Sequence, residues 1–257
     1  MFKRIGLSLV AVSLVTQTAI AQAPLPRVSI ELSLLVDVSG SVNTTEYNLQ
    51  KTGYVNVFNN VGFWNAFQSS GRTLAVQYAE WSSPGLQSGT AWTQIGNATE
   101  AGLFASAINM FNRASSGSTA VGAALNYGVT QLNTNNFDGD RRIIDISGDG
   151  CNNSGVSAIS GRDNAVLNNI IVNGITIGTE MSDCVGLSLR DWYAANVVTS
   201  TGFLETADSF DDFNTAIERK IGRELGVNVV PEPGTFGILA AGLLALGVVA
   251  IRRRKQA

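Results

Sequence analysis

The sequence contains no histidine, the side chain that most often serves as a general base or as the nitrogen ligand of a metal ion. Its absence excludes serine and cysteine hydrolases of the usual histidine-dependent kind. Charged residues are also few, at 14% of 257 residues, whereas hydrophobic residues make up 45%, which is typical of a globular chain. The length fits one α/β domain of roughly 200 residues with short terminal segments.

Cysteine is nearly absent, and the two present are Cys151 and Cys184. Two sulfurs without an imidazole cannot complete a tetrahedral zinc site from nitrogen and sulfur ligands. In an exported chain a pair of cysteines forms a disulfide more often than it stays free. The two cysteines follow successive predicted strands, so their loops belong to the same sheet edge. We therefore predict a Cys151–Cys184 disulfide.

Basic residues are scarce in the middle of the chain. Of the 17 lysines and arginines, six lie at the two ends, and the remaining 11 face 20 acidic residues, a net charge of −9 for the middle. Nucleic-acid binding requires basic patches that displace counterions, so this balance argues against it. An acidic domain is better suited to binding cations.

The first 23 residues have the form of a secretory signal peptide. Lys3 and Arg4 precede an apolar run, which ends at the small-residue cleavage site Ala21-Gln22-Ala23. An uncleaved membrane anchor is the alternative, but polar residues interrupt the apolar run and it is too short to span a bilayer. Export of the domain from residue 24 onward is the prediction.

The C-terminal end also carries targeting features. Residues 226–234 form a linker with the motif Pro231-Glu232-Pro233, residues 235–251 form an apolar segment of minimal membrane-spanning length, and residues 252–257 form a basic cytoplasmic tail. A plain anchor would explain the last two features but not the first. Their order resembles the PEP-CTERM sorting signal, which implies recognition and cleavage by an exosortase-type membrane protease. The expected location is the membrane, transiently, and then the cell surface or the medium.

Residues 24–225 alternate between strand and helix patterns. Buried strands are predicted at 27–38, 73–81, 141–147 and 174–178, short strands near 91–95 and 203–206, and helices at 45–67, 97–113, 118–132, 187–195 and 210–225. Such alternation predicts an α/β fold: a doubly wound, mostly parallel central sheet with helices on both faces.

Oxygen-bearing side chains follow two of the buried strands. Asp37, Ser39 and Ser41 occupy alternate positions after the first strand, Asp149 follows the third, and Thr119 precedes a helix. Open α/β sheets bind ligands at the carboxyl ends of their strands, so these loops are expected to converge. Hard divalent cations prefer oxygen ligands, which favours Mg²⁺, with Mn²⁺ and Ca²⁺ as alternatives. Turn formation and helix capping are the other roles open to these residues.

Together these segments resemble the metal-ion-dependent adhesion site of von Willebrand factor type A (VWA) domains. The resemblance implies that Ser39, Ser41 and Thr119 contact the ion and that Asp37 and Asp149 act largely through water. Many members have Thr-Asp-Gly where this chain has Ser-Gly-Asp-Gly, and the additional Gly148 leaves both direct and water-mediated binding by Asp149 open. The chain looks like a member of an exported bacterial subfamily of VWA-like proteins without an assigned function.

Asp145 is a carboxylate inside a predicted buried strand, for which we expect a structural partner, Arg141 or Arg162. Asp138 and Asp140 are expected in a solvated loop. The four tryptophans could line a carbohydrate surface, but buried positions are the commoner role: Trp64, Trp81, Trp92 and Trp192.

The leading functional prediction is a non-enzymatic binding module, in which the metal holds an acidic group of a protein or polysaccharide partner. A metal-assisted hydrolase of phosphoester or glycosidic bonds is the alternative from another class, but no second acidic pair accompanies the metal residues. A structural matrix protein with a silent metal site is a third possibility.

Overall fold

A computed structural model describes residues 24–113, 115–178 and 184–227 of the chain. Within these ranges no helix is both long and apolar enough to cross a bilayer. The predicted signal peptide at 1–23, the Pro231-Glu232-Pro233 motif and the apolar segment at 235–251 lie outside the described residues.

The described residues form strands and helices in alternation. The strands are β1 (Arg27–Asp37), β2 (Leu74–Trp81), β3 (Gln87–Gly89), β4 (Thr93–Ile95), β5 (Asp138–Gly148), β6 (Ile171–Ile177) and β7 (Leu204–Ala207). The helices are α1 (Thr44–Asn59), α2 (Val61–Ser69), α3 (Ala98–Met110), α4 (Val121–Thr134), α5 (Ala158–Leu167), α6 (Leu189–Asn196) and α7 (Phe213–Leu225).

The sheet has the strand order β3-β2-β1-β5-β6-β7, with β4 also paired to β2. Strands β2, β1, β5, β6 and β7 run parallel, and β3 and β4 pair with β2 in the antiparallel direction. The predicted fold class, a mostly parallel sheet in a doubly wound α/β domain, is therefore confirmed. Because β1 and β5 are neighbours, the loops after Asp37 and after Gly148 lie side by side.

Helices cover both faces of the sheet, which explains why β1, alternating at first, becomes continuously apolar at Leu34–Val36. One face packs against α1, α2, α3 and α7, with an aromatic core around Tyr54, Phe58, Trp64 and Phe104. The other face packs against α4, α5 and α6. Trp64 and Trp81 are fully buried and Trp92 and Trp192 are partly buried, so the structural role expected for the tryptophans holds.

The predicted helix at 45–67 is wrong in one respect, because the structure breaks it at Asn60. This residue is extended (φ −73°, ψ 96°), and its side chain accepts a hydrogen bond from the amide of Phe63 in the first turn of α2. Asn43 caps α1 in the same way and forms a capping box with Glu46. Asparagine is a favoured N-cap, and this local bond competes with continuation of the helix.

The expected partner of Asp145 is also wrong. Its carboxylate pairs with Lys220 of α7, with 2.5 Å between Oδ1 and Nζ, and both side chains are fully buried. Arg141 instead donates to the carbonyl of Glu224, and Arg162 pairs with Asp163. Strand and helix patterns do not show which face of the sheet the C-terminal helix covers, so this long-range pair had no local signal.

Candidate metal site

The loop after β1 folds back on the end of its own strand. The amide of Ser39 donates to Asp37 Oδ1 at 2.8 Å, and both residues are fully buried. The hydroxyls of Ser39 and Ser41 lie 3.1 Å apart. The alternate spacing of these three side chains therefore does place their oxygens together, as the sequence pattern predicts.

Two further loops bring oxygens to the same place. The hydroxyl of Thr119, just before α4, lies 3.4 Å from Ser39 Oγ. Ser41 Oγ donates to Asp149 Oδ1 at 2.7 Å. The five residues singled out in the sequence thus form one cluster of oxygen atoms, contributed by three loops at the carboxyl edge of the sheet.

The two carboxylates of the cluster influence each other. Burial, with the nearby charge of Asp149, raises the pKa of Asp37 to about 7. Burial also raises the pKa of Asp149, although the hydrogen bond from Ser41 acts in the opposite direction. Asp37 Oδ2 is buried without a hydrogen-bond partner. A buried, repelling pair of carboxylates with an unsatisfied oxygen is an environment that a cation would stabilise.

The composition of the cluster is suited to a hard cation. It offers two carboxylates and three hydroxyls, and Mg²⁺ and similar ions bind such oxygens together with water. The described residues hold no group of three or more histidine, cysteine, aspartate or glutamate side chains that could bind a metal. Any metal site here therefore depends on the hydroxyls of Ser39, Ser41 and Thr119.

Arg113, which lies between α3 and α4, holds the loop after β1 in place through hydrogen bonds to its backbone carbonyls. Its Nη2 donates to the carbonyls of Val38, Ser39 and Val42 at 2.8, 3.0 and 2.8 Å. Its guanidinium also lies 5.3 Å from the ring centroid of Tyr47. These bonds satisfy loop carbonyls that no strand or helix ladder could satisfy. This role of Arg113 could not be predicted from the sequence, because its position after a helix carries no signal of contact with the first loop.

Hydrogen bonds also join the other two loops. The amide of Thr119 donates to Asn153 Oδ1 at 2.8 Å, and the amide of Asn153 donates to the Thr119 carbonyl at 2.9 Å. Asn152 Oδ1 accepts from the amide of Gly122 at 3.0 Å, in the first turn of α4. The loop that carries Asp149 therefore fixes the position of Thr119. Both asparagines follow Cys151 directly, and no pattern in the sequence predicts their contribution.

The predicted disulfide is present. Cys151 and Cys184 are joined, with 5.8 Å between their Cα atoms. Cys151 lies two residues after Asp149, and Cys184 lies in the loop between β6 and α6. The bridge therefore ties the loop of one candidate ligand to the next loop along the same sheet edge.

The additional glycine of the Ser-Gly-Asp-Gly segment has a structural reason. A Cβ on Gly148 would lie 3.1 Å from Asp37 Oδ2 and would collide with the hydroxyl of Tyr193 from α6. That hydroxyl is buried without a hydrogen-bond partner, and burial, with the charges of Asp37 and Asp149, raises its pKa. Gly148 thus allows a tyrosine hydroxyl to approach the carboxyl groups of Asp37 and Asp149.

The other acidic candidates lie elsewhere. Asp138 and Asp140 are exposed at the start of β5, at the opposite end of the strand from Asp149. They belong to the strand and not to the loop expected from the sequence. Asp140 pairs with Arg27, also exposed, at the start of β1.

Comparison with family models gives two matches. The model described as "Protein of unknown function (DUF1194)" matches residues 27–229, and the model of the PEP-CTERM protein-sorting motif matches residues 229–255. No curated protein matches the chain. The two family matches cover the described domain and the C-terminal segment separately.

Two of the solved structures with similar folds are an adhesin and a matrix protein. The pilus adhesin SpaC from Lactobacillus rhamnosus GG aligns with a TM-score of 0.57 and 16% identity over 77% of this chain and 30% of its own. Proximal thread matrix protein 1 from the mussel byssus, with a zinc-occupied MIDAS motif, aligns with a TM-score of 0.54 and 14% identity over 77% of this chain and 46% of its own. The chain thus spans less than half of either structure, and these similarities show a VWA-type fold.

Proposed function

Since the chain belongs to the family described as "Protein of unknown function (DUF1194)" and carries a PEP-CTERM sorting motif, we propose that it is an exported, metal-dependent binding protein. Asp37, Ser39, Ser41, Thr119 and Asp149 hold one divalent cation. The observation that carries the proposal is the convergence of these five oxygen-bearing side chains from three loops, with Asp37 Oδ2 buried and without a hydrogen-bond partner.

The bound cation supplies a positive charge and an open coordination position at the protein surface. Asp37 and Asp149 provide charge neutralisation, and the three hydroxyls orient the site. An acidic group of a partner, on a protein or a polysaccharide, fills the open position. The ligand chemistry favours Mg²⁺ over softer metals, while the mussel matrix protein, which has zinc in its MIDAS motif, supports testing Zn²⁺ beside Mn²⁺ and Ca²⁺.

Metal binding is tested first on the purified exported protein. Titration calorimetry with Mg²⁺, Mn²⁺, Ca²⁺ and Zn²⁺ should show one site, and Asp149→Asn should weaken binding at least tenfold. Asp138→Asn is the matched control, because it removes an exposed carboxylate at the other end of the same strand. Equal affinity of both variants and the wild type would rule out the proposed site.

Partner binding is tested with surface material from the producing cells. The wild type should retain a protein or polysaccharide fraction in Mg²⁺ and release it in EDTA, whereas Asp37→Ala should retain none. Retention that persists unchanged in EDTA would instead indicate a structural matrix protein with a silent metal site. Turnover of phosphoester substrates that Asp149→Asn abolishes would indicate the metal-assisted hydrolase.

The location of the protein follows from its two ends. We propose that the signal peptide is removed before Pro24, that residues 235–251 hold the chain in the membrane, and that an exosortase-type protease releases it near Pro231-Glu232-Pro233. Replacing this motif with alanines should leave full-length protein in the inner membrane. If native and altered proteins fractionate alike and both keep Arg252–Lys255 by mass, the segment is a simple anchor.

A further inference from the structure

A second cluster of reactive groups lies inside the domain, between β5 and α7. Lys220 Nζ is 2.5 Å from Asp145 Oδ1 and 2.7 Å from Glu224 Oε1. All three side chains are fully buried. Asn173 of β6 donates to Glu224 Oε1 at 2.9 Å. The proposed metal site uses none of these groups.

As an ion network this cluster is poorly satisfied. One ammonium faces two carboxyl groups, and Asp145 Oδ2 and Glu224 Oε2 are buried without a hydrogen-bond partner. Charges removed from water cost several kcal/mol each unless their remaining hydrogen bonds are made. A half-satisfied buried network is therefore less favourable than a neutral arrangement of the same groups.

We propose that Lys220 and Asp145 condense to an intramolecular amide that links α7 covalently to β5. A bond forms between Nζ and Cγ of Asp145, and one Cγ–O bond breaks. Two of the three ammonium protons leave with the released carboxylate oxygen as one water molecule. Charge balances, because one cation and one anion become a neutral amide, and the step needs no oxidant or reductant.

The fold supplies the conditions that this condensation requires. Fixing an amine against a carboxyl group corresponds to an effective concentration of about 10⁵ M or more in well-oriented systems, which drives amide formation forward. Exclusion of bulk water removes the reactant of the reverse step. Both effects follow from the contact distance and the complete burial of Lys220 and Asp145.

Glu224 is placed to transfer the protons. Burial and the charge of Asp145 raise its pKa to about 7, although Lys220 and Asn173 act in the opposite direction. A carboxyl group with a pKa near neutrality can accept a proton from the ammonium and return one to the departing oxygen. Its hydrogen bond from Asn173 holds it beside Nζ.

The link has a use in a surface protein. Helix α7 is the last described helix, and the sorting motif follows it at residues 229–255. This use rests on the proposed location: while residues 235–251 hold the chain in the membrane before release, tension on that attachment reaches the domain through α7. An amide from Lys220 to Asp145 would transmit that tension directly to β5 in the middle of the sheet. Helix α7 would then stay attached to the domain.

Intact-mass measurement of the purified, reduced and denatured protein tests the proposal. The measured mass of the wild type should be lower, by one water, than the mass calculated from its sequence between its actual N-terminal and C-terminal residues. Peptide mapping should recover the Asp145 peptide joined to the Lys220 peptide, with no tryptic cleavage at Lys220. A folded wild type of full calculated mass overturns the proposal.

Two controls give the result its specificity. Glu224→Gln keeps the shape of the side chain without the acid, and should restore the full mass in a protein that circular dichroism shows to be folded. The Asp138-Gly139 and Asp149-Gly150 pairs could lose water by forming succinimides, which mild alkali reopens, whereas the amide persists. Water loss that alkali reverses contradicts the Asp145 link. Loss of ammonia that persists in alkali also contradicts it and would make Asn173 the acceptor, whereas a succinimide at Asn173-Gly174 would reopen.

Discussion

The hydroxyl of Tyr193 occupies the space that a side chain on Gly148 would need. This contact connects α6 with the strand that leads to Asp149, and it places a buried hydroxyl beside Asp37. Packing therefore requires a glycine at this position. The departure from the Thr-Asp-Gly pattern is matched by Tyr193, whose hydroxyl fills the space beside the glycine.

We expect Gly148→Ala to lower the free energy of unfolding by about 1 to 3 kcal/mol, the usual cost of overpacking a core. Tyr193→Phe should recover most of this loss in the double variant, because the nearest ring atom, Cζ, is 3.4 Å from the added carbon. Tyr193→Phe alone should be nearly neutral, since it removes a hydroxyl without a hydrogen-bond partner. Urea unfolding measures all three. A double variant no more stable than Gly148→Ala would show that another contact causes the strain.

Arg113 supports the first loop through three carbonyl acceptors, so its removal should affect both stability and metal affinity. We expect Arg113→Met to cost about 2 to 4 kcal/mol, because it leaves partly buried carbonyls unpaired. It should also weaken metal binding, measured by calorimetry, while Arg113→Lys should lose less of both. Arg190→Met is the matched control, since Arg190 is exposed on α6. Unchanged metal affinity in Arg113→Met would show that the loop keeps its shape without this support.

The disulfide should contribute to stability and to the site together. Replacing Cys151 and Cys184 with serine should lower the free energy of unfolding by about 3 to 4 kcal/mol, by the chain-entropy estimate for a loop of this length. Reduction of the wild type should reproduce the effect. Because Cys151 lies two residues from Asp149, metal affinity should fall as well, and an unaltered affinity would separate the bridge from the site.

The five candidate ligands could be predicted because each lies at the end of a strand or the start of a helix, and parallel strands bring such positions to one edge. The residues that hold these candidate ligands in position could not be predicted. Arg113 donates to backbone carbonyls, Asn152 accepts from a backbone amide, and Tyr193 fills the space beside Gly148. None of these contacts produces a spacing pattern in the sequence. The partner of Asp145 was equally hidden, because Lys220 reaches it from a helix 75 positions later.

In the unlinked chain, in which Asp145 and Lys220 keep their charges, Glu224 makes the stability of the domain dependent on pH. Burial and Asp145 raise its pKa from 4.5 to about 7, so the native state binds a proton that the unfolded state has released between these values. Its contribution is therefore fully present below about pH 4.5 and is lost as the pH rises through about 7, by at most a few kcal/mol.

Glu224→Gln should remove this part of the pH dependence, because glutamine does not titrate. Urea unfolding at intervals from pH 5 to pH 8, on variant and wild-type chains that intact mass shows to be unlinked, should show that the difference in stability shifts in favour of the variant as the pH rises. Glu218→Gln is the control on the same helix, since Glu218 is only partly buried and its bond to Asn60 lies near the surface. A difference that stays constant with pH would mean that Glu224 is ionised throughout, with Lys220 outweighing the effect of burial.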